Sequence, residues 1–190
     1  DWTKDHAIEL TRDRVEPPTK DTYLEKNWMP VMDMPFHFVR WSNPVEVVKI
    51  NLEDKSKERV QQGILNKLSS TTVINKEEKF EGPLGIRGSS QVIPFGNEGN
   101  RICITHEVDF FHHPGGHKDA HYYHRFLIWD KDWNLKSISK QFKFMDAMIE
   151  FNTGLAIKNG NFIITYGFQD NAAYALKMPV NLLDKLEWEE

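Results

Sequence analysis

Two groups of residues have side chains that could carry out chemistry. His106 and Glu107 stand together at the polar end of an apolar, strand-like run, and Glu150 and Asp170 lie at the two ends of another such region. A histidine beside a carboxylate can transfer protons or bind sugar hydroxyls, and glycosidases use two carboxylates. The sequence therefore predicts Glu107, Asp170 and Glu150 as candidate catalytic groups. The alternative is structural, with Glu150 accepting hydrogen bonds from backbone amides.

Other polar and aromatic side chains lie where strand-like runs begin or end. An indole can stack on the C–H face of a sugar ring, and a guanidinium can bind a carboxylate or phosphate. The candidate ligand-binding residues are Asn27, Trp28, Arg87, Gln91, His106, Tyr123, Arg125 and Gln169. Two alternatives stay open: Trp28 packs in a core, and residues 87–91 form a glycine turn that leads into a strand.

Residues 109–125 are rich in histidine and could form a metal site or a lid. The histidines are His112, His113, His117, His121 and His124. Their spacing resembles that of metal ligands, but Pro114-Gly115-Gly116 interrupts them, and metal sites require rigid ligands. We therefore predict no metal site and interpret the segment as a long solvated loop over the ligand site. A lid that responds to pH is the alternative, because histidine titrates near neutrality.

Length, charge and cysteine content restrict the class of protein. The chain has 190 residues, enough for one domain with a sizeable core, and a net charge of −4, which argues against a general nucleic-acid binder. No apolar run approaches the ~20 residues that span a bilayer, so we predict no membrane span. The single cysteine and the lack of a signal-peptide pattern weakly favour the cytoplasm.

Short apolar runs separated by turn residues predict an all-β chain. We predict strands at 7–15, 36–41, 45–50, 101–108, 122–129, 162–166 and 174–177. The strongest helical pattern covers residues 55–68, but Gly63 weakens it. The charged tail, residues 184–190, is expected to be solvated.

Three segments share one layout and predict a β-propeller. They begin at Glu25, Arg87 and Glu150, which lie 62 and 63 residues apart. In a propeller each repeat forms one blade, so equivalent polar strand ends converge on a central pocket. We therefore expect a single partial propeller over residues 1–190: residues 1–22 supply a strand of a preceding blade, and 23–86, 87–149 and 150–190 form one blade each. Three blades do not readily close a ring, and a β-sandwich is the alternative.

The same segments resemble glycoside hydrolase family 130, a family of five-bladed mannoside phosphorylases and hydrolases. The third segment is similar to the family's last blade, and the second to the blade before it. A closer resemblance is to propeller domains associated with bacterial and viral glycosyltransferases, and it covers roughly residues 23–178. The residues that carry these resemblances are 25–30, 87–91, Thr105 to Val108, Tyr122 to Phe126, Phe151, Gly154 and Tyr166 to Asp170.

The resemblance implies an axial sugar pocket and suggests roles for three residues. His106 matches a histidine that helps to hold phosphate, Arg87 is a loose candidate for an anion-binding arginine, and Asp170 matches an aspartate that borders the sugar. Thr105 and Glu107 depart from the family pattern, and a carboxylate beside phosphate would repel it. The family's catalytic aspartate belongs to an earlier blade and has no counterpart in this chain.

The resemblance also implies partners and two competing functions. The expected ligand is a glycan or glycoside, with inorganic phosphate as a possible co-substrate and no other cofactor. If another polypeptide or chain completes the ring, the expected reaction is hydrolysis or phosphorolysis of a mannose-type glycoside. The alternative is a non-catalytic module that binds glycans or has an accessory or structural role.

Overall fold

The computed structural model describes residues 14–15, 26–51, 68–76, 85–112, 114–116 and 118–189. Within these residues the chain is all-β, as predicted, apart from one short 3-10 helix, Val180–Lys185. The strands are β1 (Arg14–Val15), β2 (Met29–Pro30), β3 (His37–Ser42), β4 (Val45–Asn51), β5 (Leu68–Lys76), β6 (Arg87–Gly88), β7 (Ile93–Phe95), β8 (Asn100–His112), β9 (Lys118–Trp129), β10 (Leu135–Ile138), β11 (Glu150–Lys158), β12 (Asn161–Phe168) and β13 (Ala172–Pro179).

These strands form three sheets in chain order. The first sheet has the order β1-β5-β4-β3-β2, and the second has β10-β9-β8-β6 with β7 also paired to β8. The third has the order β11-β12-β13. Neighbouring strands are antiparallel except β1 and β5, which run parallel. None of the three sheets closes on itself, and their stacking fits consecutive propeller blades and a layered sandwich equally.

The second sheet lies between the other two, because both of its faces are apolar. One face presents Cys103 and Leu127 to a core that includes Val39 and Val47 of the first sheet. The other face presents Phe126 and its neighbours to Leu155, Phe162 and Ile164 of the third sheet. Alternate side chains of a strand point to opposite faces, so two apolar sets in β8 and β9 produce two separate cores. This layering fixes the distance and orientation between the sheets.

One edge strand from each sheet (β2, the β6–β7 strand and β11) lies beside those of its neighbours. A parallel bridge joins Val31, just after β2, to Val92, just before β7. The Gln91 side chain then reaches β11, where its amide donates to the Leu155 carbonyl at 2.5 Å and its oxygen accepts from the Leu155 N–H at 3.2 Å. Residues 27–31, 87–92 and 150–155 therefore form one continuous edge, which we call the first-strand edge. All three strands enter this edge from the same end.

Several sequence predictions differ from the structure. Both β8 and β9 extend beyond the predicted strands, so part of the segment interpreted as a solvated loop is a paired β-hairpin up to His112 and Lys118. Strands β5 and β11 were not predicted, and Leu68, the last residue of the predicted helix, begins β5. The rest of the predicted helix, residues 55–67, and most of the first predicted strand, residues 7–13, lie outside the described residues.

The predicted solvated tail, residues 184–190, is solvated only in part: Asp184, Lys185 and Glu187 are exposed, whereas Trp188 is half-buried. Trp188 bridges to Ser139, and Leu183 is buried. In the part of the chain that the structure describes, no helix is long and apolar enough to cross a membrane.

Candidate ligand-binding site

The candidate site is built around His106, at the end of the first-strand edge where the three first strands begin. His106 pairs across the strands with Arg87, and its Nδ1 shares a hydrogen bond of 2.8 Å with the Ser89 hydroxyl. The imidazole stacks on Tyr122, with ring centroids 5.9 Å apart, and meets the edge of Phe151 at 4.8 Å. We call Arg87, Ser89, His106, Tyr122 and Phe151 the His106 cluster. It joins residues from the second and third sheets.

The first sheet reaches the same place through Asn27 and Trp28. Asn27 has a left-handed backbone conformation, with φ of 62°, which turns the chain into β2. Its carbonyl lies so close to Gly88 that a Cβ on that glycine would be 2.1 Å from the oxygen. Trp28 is half-buried, with its ring 6.2 Å from that of Phe38. Four predicted ligand-binding residues, Asn27, Trp28, Arg87 and Gln91, thus lie on the first-strand edge, and His106 pairs with Arg87 from the adjacent strand.

Burial and positive neighbours keep His106 neutral at pH 7. Burial lowers the pKa of His106 from 6.5 to about 4; repulsion from His124 when protonated, from Arg87 and from Lys26 acts in the same direction, and a hydrogen bond with the Gly88 backbone opposes it. A neutral imidazole has one N–H donor and one acceptor nitrogen, so it can bind a hydroxyl group without carrying charge. Arg87 and Lys26 are exposed and give this end of the edge a positive character.

His124 lies behind the cluster, directly across the strands from His106. Its ring packs against Phe144 at 4.6 Å and Phe142 at 5.9 Å, and it is fully buried. Neither ring nitrogen has a well-aligned hydrogen-bond partner among the residues that the structure describes, although the backbone of Thr105 and of Glu150 lies close enough to raise its pKa. Burial lowers the pKa of His124 to about 4, although the nearby Glu150 carboxylate acts in the opposite direction.

Glu150 uses both of its oxygens to hold the preceding turn. One oxygen accepts from the N–H groups of Met145 and Ala147, both at 2.9 Å, and the other accepts from the Phe144 N–H at 2.6 Å. The side chain has no exposed surface. A carboxylate saturated by backbone amides in this way stabilises the loop before β11, and this geometry favours the structural interpretation over the catalytic one.

We expect Glu150→Gln to lower the free energy of unfolding by about 1–3 kcal/mol, because an amide nitrogen cannot accept from the backbone and leaves a buried N–H unpaired. Urea denaturation followed by tryptophan fluorescence would measure the change. Asp170→Asn, at an exposed position, is the matched control and should leave stability unchanged. An unaltered midpoint for Glu150→Gln would show that the turn does not depend on this carboxylate.

Glu107 and Arg125 form a buried ion pair on the opposite face of the second sheet from His106. Arg125 Nε donates to Glu107 at 2.9 Å, and its Nη1 donates to the Ser139 carbonyl at 2.8 Å. Arg125 also contacts Glu189, and Gln141 donates to Glu107. These contacts tie the chain end to the sheet. The predicted catalytic residue Glu107 and the predicted ligand-binding residue Arg125 therefore bind each other.

Three further predicted residues, Tyr123, Gln169 and Asp170, are not members of the His106 cluster. Tyr123 is on the same face as Glu107, and the Lys143 ammonium lies 5.1 Å from its ring centre. Gln169 and Asp170 are exposed in the turn between β12 and β13, with φ of 53° and 50°. The Gln169 N–H donates to the Ile149 carbonyl at 2.8 Å, which places this turn at the end of the third sheet where β11 begins.

The structure brings three residues to the site that sequence reasoning did not single out for it: Ser89, Tyr122 and Phe151. Ser89 belongs to a segment from which only Arg87 and Gln91 were selected. Tyr122 and Phe151 could have been found from strand alternation, because Tyr122 shares the parity of His124, the residue opposite His106.

Comparison of the chain with protein-family models, with curated proteins and with solved structures gave no match. Among the described residues, no three histidine, cysteine, aspartate or glutamate side chains are grouped so as to hold a metal ion. His113 and His117 of the histidine-rich segment lie outside the described residues. The geometry of the site is therefore the basis of the functional argument.

Proposed function

We propose that this chain binds a glycan or glycoside at the His106 cluster. The observation that carries the proposal is the convergence of polar and aromatic groups from three separate segments on one edge. The cluster presents the exposed Arg87 guanidinium and two half-buried aromatic rings, beside a buried imidazole that is hydrogen-bonded to the half-buried Ser89 hydroxyl. Sugars present hydroxyl groups around a C–H face, so hydrogen-bonding groups next to aromatic surfaces suit them.

We propose that the three sheets are consecutive blades of a five-bladed propeller. Two observations support this arrangement: each sheet contributes one edge strand to the shared first-strand edge, and each packs face to face with the next in chain order. In such an arrangement the His106 cluster faces the axis, and another polypeptide or further copies of the chain supply the remaining blades.

The engaged carboxylates favour binding over catalysis by this chain alone. Glu150 is saturated by backbone amides, and Glu107 is paired with Arg125. A glycosidase needs two carboxyl groups free to act on the scissile bond. Asp170 is exposed in the turn between β12 and β13, and none of the five residues of the His106 cluster is a carboxylate. The positive charge of Arg87 and Lys26 would suit inorganic phosphate or an anionic sugar bound beside the imidazole.

Binding to a glycan array, followed by calorimetric titration of the best ligand, tests this proposal. We expect Arg87→Ala to weaken binding by about 10- to 100-fold, because a charged hydrogen bond contributes about 1.5–3 kcal/mol. Arg87 is exposed, so the variant should fold normally. Lys158→Ala removes an exposed cation from the opposite end of β11 and should bind like the wild type.

Two results would contradict the proposal. One is the failure of every arrayed glycan to bind, and the other is equal affinity of wild type and Arg87→Ala. Release of sugar from aryl mannosides, assayed with and without phosphate, separates binding from catalysis. We expect no turnover from this chain alone.

A further inference from the structure

The β8–β9 hairpin projects beyond the sheet at the end where the His106 cluster lies. β8 and β9 stay paired as far as His112 and Lys118, whereas β6 pairs with β8 only as far as His106. The Tyr122 N–H donates to the Met148 carbonyl at 2.9 Å. Between Tyr122 and the tip of the hairpin, β8 and β9 form a two-stranded ribbon, to which the described residues add no third strand. The ribbon therefore extends the second sheet beyond the His106 cluster.

The two faces of this ribbon differ. On the face opposite to His106, Phe111 stacks on His121 with ring centroids 5.0 Å apart, and Tyr123 packs against the Lys143 ammonium. On the His106 face, strand alternation places Val108, Phe110 and Tyr122 in a row that continues from the imidazole. Phe110 is 53% exposed, although it lies in a paired strand.

We propose that the His106 face of the hairpin extends the glycan site, with Phe110 as a stacking platform for a second part of the ligand. This inference rests on the proposed function and adds the ligand class: an oligosaccharide rather than a single sugar. Phe110 is four residues from His106, about 13 Å along an extended strand, which is longer than one pyranose ring. Its phenyl face suits the C–H face of a sugar, and its paired backbone holds the ring in place.

Calorimetric titration of the full chain with methyl glycosides and linear tetraoses of mannose, glucose and galactose tests this inference. For the sugar that binds, we expect the tetraose to have a Kd about two- to tenfold lower than the methyl glycoside, the effect of one aromatic stack. Phe110→Ala should raise the tetraose Kd to that of the methyl glycoside and leave the latter unchanged. Phe110→Tyr keeps the ring and should retain the gain.

Phe36→Ala provides a matched control, because Phe36 is 55% exposed and lies in the turn after β2, away from the cluster. It should bind both ligands like the wild type. Equal Kd values for the two ligand lengths, or a tetraose Kd unaffected by Phe110→Ala, would overturn the extended site while leaving binding at Arg87 intact. If none of the six sugars binds, the proposed function fails for these sugars, and the extended site is overturned with it.

Discussion

Gly88→Ala is expected to destabilise the protein by about 3 kcal/mol or more and to abolish ligand binding, because the added methyl group has no space. A Cβ at this position would lie 2.1 Å from the Asn27 carbonyl oxygen and 2.7 Å from the Met29 side chain. The methionine can move, but the carbonyl belongs to the backbone that leads into β2. Accommodating the methyl group therefore means separating the first sheet from the second at the candidate site.

Two other glycines separate this steric effect from the general cost of replacing glycine. Gly167 lies in β12, and an added Cβ there would come no closer than 3.9 Å to the Ala172 carbonyl oxygen, so Gly167→Ala should be nearly neutral. Gly96 has open space but a φ of 68°, so Gly96→Ala should cost about 1 kcal/mol from backbone strain alone. Urea denaturation would rank the three variants. A Gly88→Ala midpoint equal to that of Gly167→Ala would mean that the two sheets are not in contact there.

Most of the strands could be predicted from the sequence, because alternating apolar residues and turn residues mark them locally. The β3, β4 and β12 predictions are confirmed to within two residues at each end. The extended hairpin was missed, because Pro114-Gly115-Gly116 and the neighbouring histidines are typical of a loop. Two strands can stay paired through polar residues, because the pairing hydrogen bonds join backbone N–H and C=O groups. The amino-acid composition of the segment does not reveal such pairing.

The candidate site could be predicted only in part, because the direction of a side chain depends on register. The sequence selected Arg87 and His106 separately as candidate binding residues, and only the register of β6 against β8 shows that they are cross-strand neighbours. The sequence could not distinguish Tyr122 from Tyr123, because a shift of one residue exchanges the two faces of a strand. The role of a carboxylate was equally ambiguous, because Glu150 has the same sequence pattern as a catalytic glutamate would have. Only the structure shows that Glu150 binds backbone N–H groups of the turn at 144–147.

Lowering the pH from 7 to 5 is expected to destabilise the folded protein, because two buried histidines resist protonation. The pKa of His106 and of His124 is about 4 in the folded protein, compared with 6.5 for an unperturbed histidine. The unfolded chain therefore binds protons first as the pH falls, and unfolding becomes more favourable. Stability is complete above about pH 6.5 and decreases between 6.5 and 4, with a limit of about 3 kcal/mol for each histidine.

His124→Phe tests which histidine is responsible, because it removes the buried group without a well-aligned hydrogen-bond partner and suits a site lined by Phe142 and Phe144. We expect a flatter decrease in the free energy of unfolding between pH 7 and 5 and an unfolding midpoint at pH 7 no lower than that of the wild type. His112→Asn, at an exposed position, controls for the loss of one histidine. If His124→Phe shows the wild-type pH dependence, His106 alone accounts for the effect. A ligand bound at the His106 cluster should then protect the protein against acid, because it binds the folded form, in which the His106 imidazole is neutral.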